Sequence, residues 1–216
     1  MSWRTLTYFG DSMLLIPTAA IIALLLLWKS DNRRAAGYWV AVFGLTGLIV
    51  SLSKLAFMGW GIGNQRLDFT GFSGHTAMAA TLWPVMFWLV GGGFSAAVRG
   101  SLIALGYALA VLVGVSRLTL NAHSDSEVLA GLLLGLVLSS AFLLSQRHTR
   151  LRSFTLVQLA AAMLLPLLLV SQGKTAKTQY LLQQLSLQVS GRDRPWKRTD
   201  MGQAARPEAD AAPARQ

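Results

Sequence analysis

The chain has 216 residues, of which 53% are hydrophobic and only 13% charged, with no cysteine and a net charge of +10. Soluble domains carry about 25% charged residues, so water is not the main solvent of this chain, and without cysteine there is neither a disulfide framework nor thiolate chemistry. The positive balance alone would suit nucleic acid, but the basic residues form short clusters between long apolar runs, as in membrane-protein loops. A soluble enzyme, a stapled secreted domain and a disordered tail protein are all excluded.

In chain order, six apolar runs predict transmembrane helices over residues 12–28, 35–52, 76–94, 101–115, 128–145 and 154–170. Each approaches the ~20 residues that an α-helix needs to cross the hydrocarbon core. The first run is followed directly by Lys29, Asp31, Arg33 and Arg34 without a small-x-small cleavage site, so it reads as a retained helix rather than a signal peptide. Gly91–Gly93 ends the third helix, and Gly131 and Gly135 in the fifth form a helix-packing motif. The fold class expected is all-α, a polytopic membrane bundle of about six transmembrane helices spanning residues 1–172. A basic amphipathic tail (173–200) follows, in which 180–189 reads as an interfacial helix and 191–198, with Trp196, as a headgroup-level anchor. Residues 201–216 read as disordered.

The loops divide into two sets. Lys29/Arg33/Arg34, Arg99 and Arg147/Arg150/Arg152 mark short basic loops that should face the cytoplasm. Residues 54–75 and 116–127 face the other side, together with both termini. Eight basic residues in the segment 171–216 run against this orientation, but tails obey the charge rule less strictly than short loops.

The chemistry-bearing residues gather in those two outer segments. His148 lies in a basic loop and reads as solvated, whereas His75 and His123 each stand at a helix boundary. Ser73 and Gly74 precede the third helix, where backbone N–H groups at a helix start attract anions. Lys54, Arg66 and Arg117 add fixed positive charge on the same face, Arg117 with a guanidinium suited to phosphate oxygens. Glu127 follows His123 by four residues, a spacing that lets two side chains meet on one helical face. A carboxylate on one imidazole nitrogen fixes the tautomer and frees the other as a nucleophile, and His75 suits a general acid for a leaving oxygen. The set points to phosphoryl transfer.

These segments resemble the type 2 phosphatidic acid phosphatase superfamily of integral-membrane lipid phosphatases. That family carries a lysine followed by Arg-Pro, then Pro-Ser-Gly-His, then Ser-Arg with a downstream His and Asp. Phe72-Ser73-Gly74-His75 matches the second motif with Phe72 for proline. Ser116-Arg117, His123 and Glu127 match the third in full spacing, with Glu127 for aspartate. The first is degraded: Lys54 is present, Gly61 stands at the arginine position, and Arg66 is the candidate for the missing guanidinium. The resemblance covers about residues 50–140. It implies His123 as nucleophile, Glu127 as its orienting partner, His75 as acid and base, and Lys54, Ser73, Gly74, Ser116 and Arg117 as phosphate ligands, to which Arg66 is added as the substitute for the missing first-motif arginine. No cofactor and no metal is expected.

The function expected is a phosphatase of a lipid-linked phosphate or pyrophosphate, of undecaprenyl pyrophosphate, phosphatidylglycerophosphate/phosphatidate or lipid A type. It would sit in a bacterial inner membrane with its site facing the periplasm, and have lipids but no nucleic acid as partners. A phosphotransferase would use the same site. A non-catalytic binding or transport protein would need the cations but not a paired imidazole.

Overall fold

The computed structural model describes residues 2–151, 158 and 178–203. A short helix α1 (Trp3–Tyr8) leads into α2 (Ser12–Lys29), α3 (Arg34–Trp60), α4 (Gly74–Val90), α5 (Ala96–Thr119) and α6 (Asp125–Ser145). After residues 152–177 come α7 (Thr178–Ser190) and α8 (Arg198–Gln203). Helices α2 to α6 are each long and apolar enough to cross a membrane. The sixth predicted span, 154–170, lies outside the described residues, as do residues 204–216 of the expected disordered terminus.

Helix α4 is the central post. Ala77, Ala80, Leu82, Val85, Met86 and Leu89 bury its whole circumference, whereas the other spans keep one face open. Leu24, Val40, Leu48, Leu105, Leu133 and Val137 stay exposed on that outer surface. In water such a belt would be penalised by about 25 cal/mol per Å²; in lipid it is the proper solvent face. Trp39, Trp88 and Phe142 pack edge-on at 5.6–5.9 Å in the core, and the Trp39 indole donates to the Ala19 carbonyl at 2.9 Å. The packing motif of α6 acts against α4: a Cβ on Gly135 would fall 2.5 Å from the Ala77 carbonyl, and one on Gly131 would fall 2.8 Å from that of Ser73. Only glycine allows the two backbones to approach this closely.

The helices run past their apolar stretches. The second predicted span, 35–52, is really 27 residues ending at Trp60, about 40 Å at ~1.5 Å per residue. This exceeds the ~30 Å hydrocarbon core, so its last turns, with Lys54, rise toward the interface. An apolar window cannot register that extension, because Ser53 and Lys54 are compatible with helix but not with a hydrocarbon solvent. The short helix α1 also lay beyond the apolar pattern.

The loops sort to two ends, as expected. At one end the basic loops meet: Asp31 N–H donates to the Arg150 carbonyl, Arg150 N–H to the Asp31 carboxylate at 3.0 Å, and Leu151 packs over Gly92. The loops 61–73 and 120–124 gather at the other end, with α1 and α7. Ser12 and Thr178 touch there through their hydroxyls at 3.3 Å, so both described ends of the chain lie at this second end.

Candidate active site

The second end holds a cavity of about 500 Å³. Its floor and one wall are Lys54 from α3, His75 from α4, Arg117 from α5 and the pair His123/Glu127 at the start of α6. Its other wall comes from the tail, through Gln179 and Gln183 of α7 and the segment from Pro195 to Arg198.

The His123/Glu127 pair grows from a helix start. Ser124 is the N-cap of α6: its hydroxyl accepts from the Glu127 amide, and the Glu127 carboxylate accepts from the Ser124 amide at 3.2 Å. Such a capping box is worth about 1 kcal/mol, and here it also aims the carboxylate. Glu127 Oε2 takes His123 Nδ1 at 2.7 Å. Oε1 accepts the Thr70 amide at 2.8 Å and the Thr70 hydroxyl. Glu127 is completely buried, yet both oxygens are satisfied. His123 therefore holds its proton on Nδ1 toward Glu127 and turns Nε2 to the cavity.

His75 sits in the first turn of α4. Ser73 is the N-cap but makes no side-chain cap bond; its hydroxyl pairs with Thr76 at 2.9 Å. The first amides of the helix thus have no side-chain acceptor, the condition for an anion site. The Ser73 amide instead donates to the Glu127 carbonyl at 3.0 Å, which ties the starts of α4 and α6 together. Gly71 brings the loop onto α3 at φ +141, where a Cβ would press Ser53 and Lys54 at 3.2–3.3 Å. A side chain there would push the Ser-Gly-His segment off Lys54.

Arg117 closes the third side. Its Nη1 donates to the Thr7 hydroxyl of α1 at 2.9 Å, and its Nε is buried without an acceptor. Asp11, the N-cap of α2, places Oδ2 4.0 Å from His75 Nε2.

Four predicted site residues do not line this cavity: Ser73 is completely buried, Gly74 lines only the smaller adjoining cavity, and Arg66 and Ser116 lie elsewhere. Arg66 is exposed in the tight turn closed by the Asn64–Phe69 bridge and does not line the cavity; the turn points it to solvent. Ser116 is buried, but its hydroxyl donates to the Val113 carbonyl at 2.6 Å and meets Thr7 at 3.1 Å, away from the pocket. It supports α1, which in turn holds Arg117.

Sequence reasoning missed Thr70, Thr7, Asp11 and, above all, Arg198. The Arg198 Nη2 donates to Glu127 Oε2 at 2.9 Å, and its Nη1 holds the Asp68 carboxylate and carbonyl. A link across 71 residues leaves no local spacing to read. Beside it, the Arg194 guanidinium hydrogen-bonded to Asp200 keeps that carboxyl below its usual range. Among the described residues no three His, Cys, Asp or Glu side chains converge as a metal-binding group.

A second cavity of about 290 Å³ adjoins the first and shares Lys54, His75 and Gln179 with it. It opens between α2, α3, α4 and α7, and Ile16, Val50, Met78 and Leu182 make it largely apolar.

The family model of the PAP2 superfamily matches residues 59–151. An uncharacterized 22.5 kDa protein in the cps region of Klebsiella pneumoniae is 44% identical over 208 residues, covering 95% of this chain and all of that one. The crystal structure of a transmembrane PAP2-type phosphatidylglycerolphosphate phosphatase from Bacillus subtilis superposes with a TM-score of 0.55 at 25% identity. The match covers 68% of this chain and 75% of that one.

Proposed function

The chain belongs to the PAP2 superfamily and is a multi-pass membrane protein of a phosphatase family, and from that premise we propose that it hydrolyses a lipid-linked phosphate or pyrophosphate through a phosphohistidine on His123. The observation that carries this reading is the 2.7 Å contact between His123 Nδ1 and the buried Glu127, made at the edge of a cavity that also holds Lys54, Arg117 and His75.

The chemistry follows from the atoms. The lone pair of His123 Nε2 forms an N–P bond as the bond from phosphorus to the lipid oxygen breaks. His75 gives its proton to that leaving oxygen, which departs as a lipid alcohol, or as a lipid monophosphate if the substrate was a diphosphate. Water then attacks phosphorus, His75 takes a proton from it, and the N–P bond breaks to release inorganic phosphate. Glu127 holds Nδ1–H throughout and balances the positive charge on the ring. Lys54 and Arg117, with the Gly74 amide at the start of α4, hold the phosphoryl oxygens, whose charge spreads in the transition state. These cations supply the charge stabilisation, so no metal is invoked.

The apolar cavity beside Lys54 and His75 supports a lipid substrate whose chain stays among α2, α3 and α7 while its phosphate enters the basic pocket. The undecaprenyl pyrophosphate, phosphatidylglycerophosphate/phosphatidate and lipid A types all fit that division. The clustering of basic loops at the opposite end supports a site on the outer, periplasmic side of a bacterial inner membrane.

The test is phosphate release from a panel of these lipid phosphates, in detergent with EDTA, for wild type and His123→Ala. Release by wild type on at least one lipid, lost in the variant, is expected. Full activity of His123→Ala would refute the mechanism, and loss of wild-type activity to EDTA would refute the metal-free step.

A further inference from the structure

We propose that Arg198, delivered by the C-terminal strap, is a ligand of the substrate phosphate and stands in for the arginine that the α3 end of the site lacks. The proposal rests on the phosphate reading of the cavity. The first observation is what occupies the place of the missing side chain. Gly61 ends α3 in the left-handed region at φ +70, and a Cβ there would lie 3.0–3.4 Å from the Trp196 ring. A side chain at 61 would be strained at this φ and would need the Trp196 ring to shift. The chain has glycine at this point and fills the space from the tail.

The second observation is how firmly the strap is built. The Trp196 amide donates to the Met58 carbonyl at 2.8 Å. Asp200 gathers the segment on itself by accepting Arg194 Nη1 at 2.8 Å and the Lys197 amide at 2.9 Å. Helix α7 anchors the strap to α3, with Ser190 against Gly59. Arg198 is thereby set against the same carboxylate oxygen that holds His123, at 2.9 Å.

The third observation is unmet hydrogen-bonding capacity. Among the described residues, the buried side-chain donors without an acceptor are Arg117 Nε and Trp196 Nε1, and both residues line this cavity from opposite walls. Buried donors are rarely left unpaired without a functional reason. A guanidinium has five N–H groups; Arg198 spends two on Asp68 and one on Glu127, which leaves Nε and one Nη2 proton. The two free N–H groups of Arg198, with Lys54 and Arg117 in the lining of the same cavity, suit an acceptor-rich group, and a phosphate is such a group.

The experiment uses the full-length protein in detergent, with Arg198→Ala, Arg198→Lys, Trp196→Phe and the far-end control Arg34→Ala. Two readouts are taken: binding of inorganic phosphate, and kcat/KM on the most active lipid of the panel. A charge-assisted hydrogen bond lost from this part-exposed guanidinium predicts phosphate binding weakened and kcat/KM lowered by about 10-fold or more in Arg198→Ala. Partial recovery is expected in Arg198→Lys, a smaller loss in Trp196→Phe and none in Arg34→Ala. Unchanged phosphate binding in Arg198→Ala and Arg198→Lys would overturn the proposal, whether or not wild type turns over any lipid. A rise in activity in these variants would also overturn it, because it would make the strap a plug. Should Arg198→Ala fail to fold, Arg198→Lys and Trp196→Phe carry the same decision. Phosphate binding is independent of turnover, so failure of the phosphatase reading and failure of this inference give different results.

Discussion

Replacing Glu127 with glutamine removes one charge and keeps the shape. The carboxylate accepts five hydrogen bonds: two from Thr70, and one each from His123, the Ser124 amide and Arg198. In the better orientation the amide oxygen faces His123 and the NH₂ group faces Thr70. The Thr70 hydroxyl can turn to accept, but the Thr70 amide is left facing another donor. One buried unsatisfied donor costs about 1–3 kcal/mol, and the bonds to His123 and Arg198 lose charge assistance. Stability should thus fall by about 2–4 kcal/mol. Catalysis should suffer more, because the charge that forms on the His123 ring loses its counter-charge: in the Ser-His-Asp arrangement the comparable change lowers kcat by about 10⁴. We expect kcat to drop about 10²- to 10⁴-fold, with KM changed only a few-fold. Glu127→Asp keeps the charge but draws it back by about 1.5 Å, one C–C bond, and should fall between the two. Steady-state phosphate release at several substrate concentrations, with thermal unfolding in the same detergent, separates the effects. A Glu127→Gln enzyme that is folded and within threefold of wild-type kcat would refute the claim that this carboxylate tunes His123.

Further outcomes follow from the other parts of the site. His75→Ala should lower hydrolysis of a lipid alkyl phosphate about 10²- to 10⁴-fold, and far less for an aryl phosphate whose leaving oxygen needs no proton; equal losses on both would remove His75 from the leaving-group role. Gly47→Phe projects into the apolar cavity, where a Cβ at this position lies 3.8 Å from Met78. It should raise KM for long-chain substrates while sparing short water-soluble phosphates, and an unchanged chain-length profile would remove the cavity from lipid binding. Gly135→Val forces a side chain into the 2.5 Å gap to the Ala77 carbonyl; it should destabilise the protein by at least about 1–3 kcal/mol, read as a lower Tm in detergent.

What the sequence made legible was local. His123 and Glu127 are four residues apart at a helix start, so their contact could be read from helical geometry, and the structure holds it at 2.7 Å. The apolar runs placed α2 to α6, and the pair Gly131/Gly135 marked the close crossing with α4. What could not be read was long-range. Thr7 on Arg117, Asp11 near His75, and Arg198 on Glu127 are set by how helices stack, and no spacing announces them. Arg66 looked suitable because it is the next arginine along the loop after Lys54. The Asn64–Phe69 turn sends it outward, while the guanidinium beside Glu127 comes from the far end of the chain.

The central claim is that His123 carries the phosphoryl group. The direct measurement mixes enzyme with a phosphate-labelled lipid, stops the reaction in alkali, where a phosphohistidine survives, and maps the modified residue by mass spectrometry. Wild type should show phosphate on His123 at Nε2 at short times, more of it in His75→Ala if water attack is slowed, and none in His123→Ala. Turnover without any phosphoenzyme, or phosphate on another residue, would contradict the account.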